Sequence, residues 1–244
     1  MATFVMVHGS WHGGWCWREV ADALRARGHR VFTPTLSGCA ENVHRLDGSI
    51  DLSTHVMDIE NLLFFEDLSE VILVGHSYAG LVGQAAAPRI AARLRSLVYL
   101  DAYIVPAGGR GFDLWDEERV TAARKALDGP DPYREPLPPA ALGIDNPDLA
   151  NHVAARMTPH PLATYDEVMP ADTPESAALP RLFIRCTGGP IAHLFAPVEE
   201  QVRAWGWPVE SLDTGHDAML TEPAALTEML LSHVDALNSS ARPQ

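Results

Sequence analysis

The chain has 244 residues, of which 47% are hydrophobic and 20% are charged, and its formal net charge is −14. This length suits one domain with a full hydrophobic core, and no apolar run approaches the roughly 20 residues that cross a bilayer. The acidic excess argues against nucleic acids and anionic membranes as partners, because both require clustered Lys and Arg.

The first half of the chain alternates short apolar runs with amphipathic segments. An apolar run with β-branched residues at Thr3–Val7 is typical of a strand buried on both faces. Such alternation predicts a parallel sheet with helices on both faces, an α/β fold. After the first strand, the predicted elements are a helix at 17–27, a strand at 29–33, a helix at 53–65, a strand at 71–74, a helix at 78–87 and a strand at 97–100.

The alternation stops after Asp101, where a stretch rich in Pro and Gly begins. We interpret residues 105–178 as an inserted cap, with helical patterns at Glu117–Leu127 and 149–157, within an α/β core formed by residues 1–104 and 179–240. The core then resumes and completes a sheet of about six strands. Its remaining elements are a strand at Arg181–Cys186, a helix at 198–205, a strand at Val209–Leu212, a helix at 224–237 and a frayed end at 238–244.

The amino terminus and the cysteines predict a cytoplasmic protein. The start, MATFVMVHGS, has no basic region and its apolar stretch ends at His8, so we expect no signal peptide. Cys16, Cys39 and Cys186 are odd in number and far apart, which favours reduced thiols over a disulfide framework or a zinc site. The oligomeric state stays open, with a homodimer as one candidate.

The segment GHSYAG at residues 75–80 lies between an apolar strand and a predicted helix, the context of a nucleophile elbow. A serine hydroxyl is a weak nucleophile unless it is held exposed beside a base, and a strained turn with small neighbours achieves this. Gly75 and Ala79 provide the space, although the pattern is G-x-S-x-A rather than G-x-S-x-G. We therefore predict Ser77 as the nucleophile; the alternative is an ordinary serine at a turn.

The loop after the first strand predicts the oxyanion site. It reads His8-Gly9-Ser10, and a backbone N–H at this place lies beside the nucleophile in such a fold. The amides of Ser10 and Tyr78 are the predicted donors. The spacing of His8 and His12 suggests a metal site, but the nearby glycines make a helix implausible there, so we expect no metal and a structural role for both histidines.

The segment LDTGHD at residues 212–217 supplies the predicted general base. His216 alone among the eleven histidines combines the end of a strand, a neighbouring glycine and a place within the last 30 or so residues. In catalytic triads of serine, histidine and an acid on this kind of fold, the serine comes first and the histidine lies near the carboxyl end, and this chain has the same order. His233 lies inside the last predicted helix and His193 follows the preceding strand, so neither is preferred.

Together these motifs resemble those of one branch of the α/β-hydrolases, the plant methylesterases, hydroxynitrile lyases and bacterial pyrethroid-type carboxylesterases. The resemblance is carried by VHGSWHGGWCW at 7–17, by residues 74–80 and by residues 213–219, and it extends over most of the chain outside the cap. It implies the α/β-hydrolase fold and hydrolysis of a small carboxylic ester through an acyl-enzyme, without a cofactor.

The chain departs from that family in the carboxylate that completes the catalytic triad. The family usually takes the triad acid from the loop at residues 185–193, which contains no carboxylate here. We expect Asp101 to replace it, because some α/β-hydrolases carry the acid at that strand end. Asp213, Asp217 and Glu199 are the alternatives, and Asp101 could instead cap a loop.

Trp11, His12 and Trp115 are the predicted substrate-binding residues. Lyases of the family have a lysine after the catalytic histidine, whereas this chain has Asp217, and that difference favours hydrolysis over cyanide release. Two alternatives to the esterase stay open. One is a ligand-binding protein with little turnover, and the other is a lyase or tailoring enzyme of the same fold.

Overall fold

The computed structural model describes residues 1–240, and its centre is a six-stranded sheet. The strands lie in the order β2-β1-β3-β4-β7-β8 and every neighbouring pair is parallel. A separate antiparallel pair joins β5 and β6. The strands are β1 (Thr3–Val7), β2 (Arg30–Phe32), β3 (Val71–His76), β4 (Leu94–Leu100), β5 (Tyr133–Arg134), β6 (His160–Pro161), β7 (Arg181–Cys186) and β8 (Val209–Leu212).

Helices cover both faces of the sheet, as the sequence predicts. Because side chains alternate along a strand, Phe4 and Met6 pack with α1, α8 and α9, whereas Val5 and Val7 pack with α2, α3 and α7. The helices are α1 (Arg18–Ala26), α2 (Leu52–Phe65), α3 (Ala79–Ile90), α4 (Glu117–Leu127), α5 (Pro147–Ala154), α6 (Pro174–Ala177), α7 (Ala196–Ala204), α8 (Ala218–Thr221) and α9 (Pro223–Ser240). Among these described elements, no helix is long and apolar enough for a membrane crossing.

Strand β4 begins three residues before the predicted strand at 97–100. Its polar residues have partners on α9: the hydroxyl of Ser96 lies 3.0 Å from His233 Nε2, and Arg95 donates to Asn238 at 2.8 Å. A polar residue can lie inside a buried strand when its hydrogen bonds are made, and sequence patterns do not reveal partners that are far away in the chain.

The carboxyl end is also more ordered than predicted. Fraying was expected from residue 238, yet α9 continues through Ser240, and the bond from Arg95 to Asn238 holds its last turn. That part of the prediction is wrong, and residues 241–244 lie outside the described residues. The short elements α6, α8, β5 and β6 were not predicted, because two to four residues carry no measurable periodicity.

Candidate active site

Ser77 lies on the sharp turn between β3 and α3. Its φ is 54°, in the left-handed region that a residue with a side chain rarely adopts. The turn is held by the bond from the Ser77 amide to Leu100 O, 3.1 Å long, and by the bond from the Tyr103 amide to Ser77 O, 2.9 Å long. A Cβ at Gly75 would lie 2.6 Å from Ala79 O, and one at Gly80 would collide with Tyr103 O, so both positions require glycine.

His216 follows β8 and lies between the serine and a carboxylate. Its Nε2 is 2.9 Å from Ser77 Oγ, and its Nδ1 is 2.7 Å from Asp101 Oδ2. The ring stacks on Phe195, with centroids 4.8 Å apart, and its other neighbour is His76 at 4.6 Å. With Nδ1–H donating to the carboxylate, Nε2 has a lone pair for the serine proton.

Asp101 is fully buried at the end of β4. While Oδ2 faces His216, Oδ1 accepts bonds from the Arg185 guanidinium at 2.6 Å and from the Cys186 amide at 3.1 Å. Sequence reasoning missed Arg185, although an arginine inside the apolar run of β7 is a signal, since a buried guanidinium needs an anionic partner. The structure brings Asp101, and none of the other three candidate acids, to the Nδ1 of His216.

The other candidate acids have partners elsewhere. Glu199 accepts a bond of 2.8 Å from Arg203 and lies 3.6 Å from Arg185, and Asp213 is exposed. Asp217 is fully buried, and its Oδ2 lies 3.1 Å from His12 Nε2, while His12 Nδ1 donates to Ser10 O at 2.8 Å. Burial disfavours both charges, but their attraction and hydrogen bond outweigh it: the pKa of Asp217 falls to about 2 and the pKa of His12 rises.

The loop after β1 lies against Ser77. A Cβ at Gly9 would be 2.8 Å from Ser77 Cβ, so only glycine allows this approach. Within residues 1–240 the amides of Ser10 and Tyr78 donate to no protein acceptor, which leaves both free to bind an oxyanion. The Ser10 hydroxyl bonds to the Tyr165 hydroxyl, and burial raises the pKa of Tyr165 to about 12, so this phenol stays neutral.

A cavity of about 400 Å³ opens above Ser77 and His216. Ser10, Trp11, Tyr103 and Phe195 form parts of its wall. Apolar side chains of Leu137, Ala141 and Leu142 also line it. Of the predicted substrate-binding residues, Trp11 lies on this wall, whereas His12 and Trp115 do not. A larger cavity of about 530 Å³, near Tyr99 and Trp207, contains neither Ser77 nor His216.

Potential metal-ligating atoms of His76, His216 and Asp217 lie within 4.8 Å of one another. Protein hydrogen bonds occupy four of the six side-chain nitrogens and oxygens in this cluster, whereas His76 Nδ1 and Asp217 Oδ1 have no hydrogen-bond partner among residues 1–240. Both nitrogens of His216 are already bonded, and His76 Nε2 donates to the His216 carbonyl at 3.0 Å. The cluster is therefore part of the loop that holds His216.

Several histidines near the site are buried in the neutral form. Burial is the main cause that lowers each pKa, to about 3 for His8. His8 donates from Nδ1 to Gly9 O and accepts at Nε2 from the Leu36 amide, a pattern that only the neutral ring provides. The histidines with a lowered pKa in this region are His8, His55, His76 and His160.

We expect the fold to lose stability in mild acid. A base whose pKa is lowered by folding takes up a proton on unfolding below pH 6.5, and each such proton costs about 1.4 kcal/mol per pH unit. Four neutral histidines together should lower the free energy of unfolding by at least about 3 kcal/mol between pH 6.5 and 5.5. His12 behaves differently because folding raises its pKa. Its contribution to the stability of the fold is complete below pH 6.5 and is lost as the pH rises above that value.

Urea unfolding measured from pH 7.5 to 5 tests this expectation. His44→Asn removes an exposed histidine and serves as the control variant. A free energy of unfolding that stays constant between pH 7 and 5 would contradict the assignment of four neutral buried histidines.

Comparisons with known proteins show the family and the fold of the chain. A sequence profile described as the Alpha/beta hydrolase family matches residues 4–229. The chain is 38% identical to the carbendazim hydrolyzing esterase of Nocardioides sp. (strain SG-4G), over 94% of this chain and 98% of that protein. It is 29% identical to Methylesterase 10 of Arabidopsis thaliana, over 93% of this chain and 90% of that protein. An extracellular alpha/beta-hydrolase from a Paenibacillus species has the same fold, with a TM-score of 0.79 at 20% identity over 95% of this chain and 98% of that one.

Proposed function

This chain belongs to the alpha/beta hydrolase family, and we propose that it is a serine esterase that cleaves a small carboxylic ester through an acyl-enzyme. One observation carries the proposal: Ser77 Oγ, His216 and Asp101 form a continuous series of contacts, 2.9 and 2.7 Å long, below a cavity. The names of the esterase relatives support ester hydrolysis. The family resemblance predicted from the motifs is confirmed.

In the proposed mechanism Ser77 Oγ attacks the ester carbonyl carbon and its proton moves to His216 Nε2. The amides of Ser10 and Tyr78 hold the oxyanion, while Asp101 accepts the Nδ1–H bond and stabilises the imidazolium. Collapse of the intermediate passes the proton from Nε2 to the departing alcohol. Water, deprotonated by the same nitrogen, then attacks the acyl-enzyme, which releases the carboxylic acid and restores the serine.

The pocket for the substrate is proposed to lie between the core and residues 105–178 acting as a cap. Leu137, Ala141 and Leu142 of that segment support this arrangement, because they share the cavity wall with Trp11 and Ser77. His12 is not part of the proposed pocket, because both of its nitrogens are bound by Ser10 and Asp217. Three buried free thiols suit a reducing compartment such as the cytoplasm.

A phosphonate ester with a 4-nitrophenyl leaving group tests the proposed function. We expect one adduct per chain, located by mass spectrometry on Ser77, and a loss of p-nitrophenyl acetate turnover in proportion to labelling. Ester turnover without an adduct on Ser77 would place the nucleophile elsewhere. An adduct on Ser77 in a protein that does not turn over esters would favour the binding or lyase alternatives.

A further inference from the structure

Two arginines stand on the wall of the cavity above Ser77, Arg119 of α4 and Arg134 of β5. Both also line a neighbouring cavity of about 250 Å³ on the insert, so they mark the boundary between the two spaces. Within residues 1–240 neither forms an ion pair with an acidic side chain, although the chain has 32 acidic and only 18 basic residues. Two half-buried positive charges thus face the cavity without a carboxylate of their own.

Arg134 is held in place by aromatic side chains. Its Cζ lies 4.3 Å from the ring centre of Trp11 and 5.0 Å from that of Trp115, and it donates a long bond of 3.4 Å to the Tyr165 hydroxyl. The backbone carbonyl of Arg134 accepts a bond of 3.0 Å from Trp11 Nε1. Arg119 packs over Trp115 as well, at 4.9 Å.

This packing suits the guanidinium for binding an anion. A guanidinium stacks through its flat faces and donates hydrogen bonds through its edge, so contacts with tryptophan rings leave most of its five N–H groups available. Bonds between a guanidinium and a carboxylate are about twice as strong as neutral ones, and partial burial beside apolar walls strengthens them further. The net charge of −14 repels an anion at long range, and two local positive charges offset that repulsion in the cavity.

We propose that Arg119 and Arg134 form an anion subsite that selects esters with a second, negatively charged group, such as the monoesters of dicarboxylic acids. The inference rests on the proposed function, because it places the carbonyl of the substrate at Ser77 and the charged end at the arginines. Trp115, predicted to touch the substrate, acts here by packing against both guanidinium groups.

A matched pair of substrates tests the subsite in the unmodified protein. Mono-4-nitrophenyl glutarate and 4-nitrophenyl pentanoate have the same chain length and leaving group, and differ in a terminal carboxylate against a methyl group. We expect kcat/KM to be at least tenfold higher for the glutarate at low salt. This preference should shrink as NaCl rises from about 20 to 500 mM, because salt screens a partly exposed charge pair.

Variants connect that preference to the two residues. Arg134→Gln is expected to lower the ratio of the two kcat/KM values by about tenfold and Arg119→Gln by about threefold, while Arg134→Lys should keep part of it. Arg30→Gln is the matched control, since the Arg30 guanidinium also lies over an aromatic ring, 5.4 Å from the centre of Phe32, but on β2 away from the cavity. The control should keep the full ratio.

A wild-type ratio near one, or a ratio unchanged in both Gln variants, would overturn the subsite while leaving the esterase intact. If Arg134→Gln does not fold, the wild-type ratio, its salt dependence and Arg119→Gln decide. If neither ester is hydrolysed, the proposed function fails instead. Calorimetric titration with monomethyl glutarate then decides the subsite: binding that is lost in Arg119→Gln supports it, and no binding to the wild type overturns it.

Discussion

Replacement of Ser77 by alanine is expected to lower kcat for p-nitrophenyl acetate by about 10⁵-fold. The hydroxyl 2.9 Å from His216 Nε2 is the group proposed to form the acyl-enzyme, and what survives its removal is the modest catalysis supplied by oxyanion donors and binding. Initial rates, corrected for spontaneous hydrolysis, measure the loss. Retention of more than about 1% of the wild-type turnover would contradict the assignment.

Two further variants separate chemistry from folding. Ser77→Gly should be as inactive as Ser77→Ala but about 1 kcal/mol more stable than the alanine variant, because glycine adopts a φ of 54° without the steric cost of a Cβ. Ser211→Ala, on the exposed side of β8, should leave kcat unchanged. An equal stability of the Gly and Ala variants would show that the turn is not strained.

Asp101→Asn is expected to lower kcat by about 10³- to 10⁴-fold. Arg185 and the Cys186 amide both donate to Oδ1, so the asparagine carbonyl must take that side and its NH₂ group must face His216 Nδ1. The ring then carries its proton on Nε2, toward Ser77, and cannot accept the serine proton. Turnover within tenfold of wild type would place the acid elsewhere.

The same substitution should also reduce stability. It removes the nearer of the two carboxylates beside the buried Arg185 and leaves only Glu199 at 3.6 Å, and breaking a buried ion pair costs up to about 3–5 kcal/mol. Urea unfolding measures this loss, and kcat is determined well below the unfolding midpoint. Asp213→Asn and Glu199→Gln are the matched controls, because neither carboxylate touches His216, and both should keep wild-type turnover.

The parts of the site that the sequence predicts are those with local signals. The turn at Ser77 follows from small residues between a strand and a helix, and the position of His216 follows from the end of the last strand. The prediction of Asp101 rests on the family resemblance, since some α/β-hydrolases carry the acid at that strand end. The structure brings its carboxylate to the imidazole, and its catalytic role stays a prediction until the Asn variant is measured.

The missed features depend on partners that are distant in the chain. His12 is among the predicted substrate-binding residues, but Asp217, 205 residues away, binds its ring in the interior. Arg185 and Arg134 are not among the predicted site residues, since no local pattern connects Arg185 to Asp101 or Arg134 to the two tryptophans that it contacts. Within residues 105–178, strands of two residues and a helix of four are too short for periodicity to detect.

The imidazole of His12 connects the two ends of the chain. One ring nitrogen donates to the carbonyl of Ser10, whose amide is a proposed oxyanion donor, and the other binds the residue directly after His216. During synthesis the amino-terminal loop therefore cannot make this contact until the segment with Asp217 has been added to the chain. A chain that stops before residue 216 lacks both the proposed base and this contact, so we expect truncated products to be inert rather than weakly active.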